Sequence, residues 1–250
     1  MSLLGYIKKT VEQVTHTRIY HRLPHGVDLM EDLARLLPAY RPKVVFDVGA
    51  NVGQSAKIYL AQFPDAHIYC FEPVGATFRE LERNLGAVRR VDLYQLALGS
   101  SHRPGRMVIG DMPEMNYLSS QSPEVPAGRG VPTEVVEVIT LDEFCRSREI
   151  SRIDFLKIDT EGGDLEVLQG GEALLAGQKI DLIEVEAGMN PGNRRHVPLK
   201  TFQEYLDAQG YLLFGIYEQV PEWTTGELHL RRTNPVFLSR RLIERPHSSG

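Results

Sequence analysis

The chain has 250 residues, 42% hydrophobic and 24% charged, with 28 Lys and Arg against 33 Asp and Glu, a formal net charge of −5. These proportions describe a globular protein with one sizeable core and exclude disordered, collagen-like and disulfide-scaffold chains. The acidic balance argues against a nucleic-acid partner, and the two cysteines, Cys70 and Cys145, can build neither a disulfide framework nor a cysteine zinc site, which suits a reducing, cytoplasmic setting.

The first forty residues read as a helical extension, 1–40, ahead of one domain at 41–250. Leu3, Leu4, Ile7, Val11 and Val14 recur at helical spacing, and Leu29, Leu33, Leu36 and Leu37 do so after a Pro24-His25-Gly26 turn. Such amphipathic helices bury a face against the domain, over a substrate site or against a second subunit, so a homo-oligomer through them is open. Lys8, Lys9 and Thr10 break any apolar core of a secretory signal, and no run approaches the ~18 apolar residues of a membrane span.

Val44–Val48 is a short β-branched run of the kind buried on both faces of a sheet. Ala56, Tyr59, Leu60 and Phe63 mark a helix closed by Pro64-Asp65. His67–Phe71 is a second strand, Phe78, Leu81 and Leu85 a second helix, and 91–96 a third strand. Ile153–Ile158 and Ile180–Val185 are a fourth and a fifth, joined by a helical stretch through Leu165, Leu168, Leu174 and Leu175. Strands alternating with helices make βαβ units, so the expected fold is α/β, a doubly wound, mostly parallel Rossmann-like sheet. Strands at 106–110 and 135–139 flank a polar stretch rich in proline, 111–132, which reads as a lid loop. After a helix through Leu199, Phe202 and Leu206, strands at 211–217 and 236–238 add an antiparallel edge.

The chemistry concentrates in Phe46-Asp47-Val48-Gly49-Ala50-Asn51-Val52-Gly53, a strand running into a glycine-punctuated turn that opens a helix. In an open α/β sheet such a turn faces the ligand crevice, and Gly49 and Gly53 let the backbone turn tightly beside a ligand. The dinucleotide fingerprint G-x-G-x-x-G is not met, because its three positions hold Asp47, Gly49 and Val52. A carboxylate there repels a pyrophosphate and attracts a cation. The second strand ends in Glu72-Pro73, 19 residues after Gly53, where an acid accepts hydrogen bonds from ribose hydroxyls. Two acids so placed suit a nucleoside that carries a cationic group, as S-adenosylmethionine does. The rival reading of both is helix capping or a surface ion pair.

Asp47-Val48-Gly49-Ala50-Asn51-Val52-Gly53, Glu72-Pro73, Ala97-Leu98-Gly99 and Leu156-Lys157-Ile158-Asp159-Thr160-Glu161-Gly162 together resemble the FkbM-type methyltransferase family. Leu141-Asp142-Glu143-Phe144 and Glu184-Val185-Glu186 extend the resemblance, which covers residues 44–218. It implies a class I methyltransferase fold, S-adenosyl-L-methionine as cofactor, and O-methylation of a hydroxyl on a natural product, sugar or glycoconjugate. The expected cofactor residues are Asp47, Gly49, Asn51, Gly53, Glu72, Pro73 and Ala97.

Methyl transfer to oxygen needs nucleophile, methyl carbon and departing sulfur in line, and a group to take the hydroxyl proton. Asp159, at the end of the fourth strand, is the expected active-site carboxylate. Glu186 stands with it at the end of the fifth strand, and His196, on the loop that follows, is the reserve base. Asp159, Glu161 and Glu186 offer oxygen ligands for Mg²⁺, but no obligatory metal is expected. A reading from another class is a non-catalytic nucleoside-binding or scaffolding protein that keeps the fold.

Overall fold

The structure is a computed structural model that describes residues 3–110, 116–119, 132–193, 195–223 and 225–244. The elements run α1 (Leu3–Thr15), α2 (Leu29–Leu36), β1 (Val44–Val48), α3 (Gln54–Gln62), β2 (His67–Phe71), α4 (Gly75–Leu85) and β3 (Val91–Tyr94). They continue with β4 (Ala97–Leu98), β5 (Arg103–Val108), β6 (Tyr117–Leu118), β7 (Thr133–Ile139), α5 (Leu141–Ser147), β8 (Ile153–Ile158), α6 (Asp164–Gln169) and α7 (Glu172–Ala176). The last are β9 (Ile180–Val185), β10 (Ala187–Gly188), α8 (Leu199–Ala208), β11 (Tyr211–Pro221), β12 (Leu230–Ser239) and α9 (Arg240–Glu244).

The main sheet has the order β10-β12-β9-β8-β1-β2-β3, with β11 paired to β12. From β9 to β3 every pairing is parallel, whereas β12 runs antiparallel to β9 and β11 antiparallel to β12. The expected α/β, mostly parallel fold with an antiparallel edge is therefore what the chain adopts. Strand order reverses beside β1: the chain moves outward through β2 to β3, then returns to β8 on the other flank. A crevice opens at the carboxyl ends of β1 and β8, the position where such sheets hold ligands.

Alternation along β1 feeds two cores. Phe46 and Val48 face a layer with Phe71, Phe144, Leu156 and Ile158, while Val45 faces Ala56, Tyr59, Ile68 and Phe155. In the first layer Phe144 meets Phe71 and Tyr94 edge-on, each at 4.8 Å between centroids. Phe144 is delivered by α5, whose start is fixed by the Thr140 hydroxyl accepting the Glu143 N–H at 3.1 Å.

Several boundaries differ from the sequence expectation. The third strand stops at Tyr94, and Ala97-Leu98 joins a separate sheet of order β4-β7-β5-β6. The stretch expected as one helix through Leu175 is two, broken at Gly170-Gly171. A Cβ at Gly170 would lie 2.1 Å from the Gly99 carbonyl oxygen, so the break is where the main chain from β4 presses on the helix end. The two edge strands are longer than expected, because they pair mainly with each other along a bulged ribbon. Of the expected lid, 111–115 and 120–131 lie outside the described residues; between them β6 pairs antiparallel with β5.

The two N-terminal helices behave differently. Leu33 of α2 is buried among Val45, Tyr217 and Val236, and Asp32 accepts the Gly26 N–H at 2.8 Å and the Tyr217 hydroxyl at 3.0 Å, beside Arg35 and His25. On α1, Tyr6, Ile7, Val11 and Val14 are exposed, so these described side chains bury no such face on the domain. Among the described residues no helix is long and apolar enough to cross a membrane.

Candidate active site

β1 runs into its turn through two left-handed residues, Gly49 (φ +82°) and Asn51 (φ +50°). A Cβ at Gly49 would stand 1.9 Å from the Asp159 carbonyl oxygen, so glycine is demanded by the approach of the neighbouring strand end. Gly53 (φ +91°) meets the Leu85 side chain, where a Cβ would lie 2.6 Å from Cδ1, and serves the contact of α3 with α4. Both glycines are thus demanded by neighbouring chain, and Gly49 in addition lines the cavity described next.

A cavity of about 250 Å³ opens over this turn. Gly49, Asn51, Glu72, Pro73, Ala97 and Asp159 all line it, although they come from four separate stretches of sequence. Phe71, Leu96, Leu98, Met107 and Leu118 give it an apolar wall, and Lys157, Thr160 and Glu161 complete the polar side. Asn116 and Leu118, from the first half of the expected lid, reach this same cavity.

Glu72 is held at the rim by two backbone donors: Asn51 N–H to Oε2 at 3.2 Å and Val74 N–H to Oε1 at 2.9 Å. Burial pushes its carboxyl up to about 7 against these hydrogen bonds. Asp47, in contrast, is wholly buried and does not line the cavity. The strand's pleat turns it to the face it shares with Val45, so the expected direct contact with a cationic ligand is not what the geometry provides. Burial raises its carboxyl to about 6, opposed by the charge of Lys157.

Lys157 is the residue that the sequence reading did not single out. It interrupts the apolar run of β8, is 7% exposed, and its ammonium lies 3.0 Å from Asp159 Oδ2. Burial disfavours its charge, but Asp159, Asp47 and Glu184 together hold its pKa above the ordinary lysine value. The same pair acts on Asp159: burial opposes ionisation, yet Lys157 holds the carboxyl below its usual range. Glu184 shares this buried cluster and is pushed up to about 7 by burial. A lysine inside the apolar second half of this strand was the only signal of the arrangement.

The turn after Asp159 is fixed by Asp164, which accepts the Thr160 hydroxyl at 2.7 Å, the Thr160 N–H at 3.2 Å and the Glu186 N–H at 3.0 Å. Glu186 and His196 lie beyond the cavity wall, in a buried ion-pair cluster. His196 Nε2 is 2.7 Å from Glu186 and 3.4 Å from Glu161; Arg232 reaches Glu186 at 2.5 Å and Arg195 reaches Glu161 at 2.8 Å. Burial works against protonation of His196, but the two glutamates raise it to about 9. Those contacts favour the charged ring, the opposite of what a reserve base needs, and Glu186 sits as its ion-pair partner outside the cavity lining. Glu161, Glu186 and His196 each offer a ligand atom within 4.8 Å of the others, the donor set of a divalent metal, but the two arginines and the protonated ring already engage those atoms.

The sequence model of the methyltransferase FkbM domain matches residues 47–213. The 2-O-methyltransferase NoeI of Sinorhizobium fredii is 27% identical over 202 residues, covering 76% of this chain and 79% of that protein. The hexuronic acid methyltransferase AglP of Haloferax volcanii is 30% identical over 175 residues, 64% of each chain. The 31-O-demethyl-FK506 methyltransferase FkbM of Streptomyces tacrolimicus is 30% identical over 182 residues, 60% of this chain and 64% of that one. In the latter two cases this chain spans slightly less than two thirds of the relative's length.

Proposed function

The chain belongs to the FkbM methyltransferase family, and from that premise we propose that it is an S-adenosylmethionine-dependent O-methyltransferase acting on a hydroxyl of a sugar, glycoconjugate or natural product. The observation that carries the reading is the convergence of four separated motifs on one cavity at the switch point of the sheet. The lining fits a nucleoside with a cationic tail. Glu72, buried and fixed by two backbone donors, keeps acceptor capacity for ribose hydroxyls. Leu96, Leu98, Met107 and Leu118 offer an apolar berth for a base, and Asp159 and Glu161 supply negative charge on the opposite side. S-adenosylmethionine, when bound, supplies an activated methyl group.

Asp159 is the carboxylate best set to meet the acceptor hydroxyl. Lys157 keeps it ionised and fixes one oxygen, so the other can accept a hydrogen bond and take the proton as the alcohol reacts. Asp47 acts at one remove, holding Lys157 charged from below the cavity floor. The relatives' names, a 2-O-methyltransferase, a hexuronic acid methyltransferase and a 31-O-demethyl-FK506 methyltransferase, support a hydroxylated acceptor for this chain as well. Two buried free cysteines fit a cytoplasmic enzyme. Incubation with methyl-labelled S-adenosylmethionine and a panel of uronosides, neutral glycosides and macrolides tests the reading. Label on an acceptor oxygen supports it; label recovered on nitrogen or carbon overturns it.

A further inference from the structure

Among the described residues, the N-terminal helix stands out for a run of large apolar side chains left exposed. Ile7, Val11 and Val14 follow each other along one side of α1 at helical spacing, and they are 49%, 40% and 74% exposed. Tyr6, and beyond the helix Ile19 and Tyr20, extend the exposed apolar surface. Six large apolar side chains left in water within fifteen residues call for a covering surface.

Charge says which surface. Residues 1–22 carry Lys8, Lys9, Arg18 and Arg22 against Glu12 alone, a net +3, while the remaining residues sum to −8. On the helical wheel Lys8 borders the apolar stripe, while Lys9 lies opposite it on the polar face. An apolar stripe with lysines on its flank and on the opposite polar face, and further basic residues just beyond the helix, is the pattern of a helix lying in the interface of an anionic bilayer. We propose that α1 and the segment to Arg22 dock this protein on an anionic lipid membrane surface. The acidic body by itself would be repelled from such a surface, so the charge reversal is confined to the part that needs it.

The attachment is mechanically coupled to the domain. Just after the basic segment, His25 contacts the Phe214 carbonyl at 2.8 Å, and Asp32 ties the Gly26 backbone to Tyr217 on β11. A membrane-bound α1 would therefore hold the body close to the lipid rather than on a long tether. A second copy of the chain is the rival occupant, and it makes a different prediction in solution.

The test is co-sedimentation of the full chain with phosphatidylcholine vesicles, with and without about one third phosphatidylglycerol, at low and high salt. The proposal expects binding to the anionic vesicles, release by salt, and little binding to phosphatidylcholine alone. Lys8→Gln with Lys9→Gln should lower partitioning roughly 30-fold, at about 1 kcal/mol per basic residue. Val11→Asp with Val14→Asp should abolish binding, while the melting midpoint stays at the wild-type value, since both positions face solvent. Equal binding to both vesicle types, or none to either, overturns the proposal. So does a solution dimer in place of vesicle binding that Val11→Asp with Val14→Asp converts to monomer.

Discussion

Lys157→Met removes the buried ammonium that Asp47, Asp159 and Glu184 share and keeps most of the length of the side chain. Breaking a buried ion pair by deleting one partner costs about 3–5 kcal/mol, because the other charge is left uncompensated. Here the lower end applies. The Asp159 side chain is 35% exposed and can recover water, whereas Asp47 and Glu184 cannot. Those two respond by holding protons. Their carboxyls already sit at about 6 and about 7, and loss of Lys157 drives them higher. A carboxyl raised in the folded state contributes stability at low pH and loses it as pH rises through the folded value. The deficit of Lys157→Met should accordingly be about 3 kcal/mol near pH 8 and much smaller near pH 5.5. Urea unfolding of wild type, Lys157→Met, Asp159→Asn and the double variant at the two pH values measures it. The double variant should recover at least about 1 kcal/mol relative to additivity. A deficit that does not change with pH, or strictly additive single variants, would refute the buried-cluster account.

Gly49→Ala should prevent stable folding or cost more than about 3 kcal/mol, since φ is +82° and the new Cβ would meet the Asp159 carbonyl at 1.9 Å; circular dichroism and urea unfolding check it. Wild-type stability should fall as pH rises from 6.5 towards 9, because His196 binds its proton more tightly folded than unfolded, and that contribution is complete below the unfolded value and lost through the folded one. His196→Gln should flatten this part of the melting-temperature profile; a profile identical to wild type would contradict the imidazolium assignment. Asp159→Asn, if that carboxylate takes the hydroxyl proton, should lower turnover by about 10²-fold with labelled methyl donor while leaving S-adenosylhomocysteine affinity near the wild-type value.

Sequence reading succeeded where burial on both faces leaves an unmistakable pattern. β1, β2, β8 and β9 begin and end where their apolar runs do, since a central parallel strand has no polar face to blur the boundary. It failed where tertiary contact decides. Nothing local separates Leu96 from β3 or assigns Ala97-Leu98 to a second sheet; the pairing with β7, some forty residues later, does that. The gap between α6 and α7 was signalled by Gly170-Gly171, but its cause, the Gly99 carbonyl, is seventy residues upstream. Helix α5 was legible and overlooked: Thr140 and Glu143 stand at capping-box spacing before an apolar helical stretch. At the site, Glu72 and Asp159 could be placed from strand ends alone. The orientation of Asp47, the burial of Lys157 and the capture of His196 by two glutamates depend on contacts between distant segments, which no local spacing encodes.

The central claim is that the cavity beside Glu72 holds the methyl donor. Isothermal titration of S-adenosylhomocysteine into wild type and Glu72→Ala tests it most directly. The account predicts one ligand per wild-type chain and an affinity roughly ten- to hundredfold weaker in the variant, the loss of charge-assisted hydrogen bonds at about 1.5–3 kcal/mol. Equal affinity in the two proteins, or no binding to wild type, would contradict it.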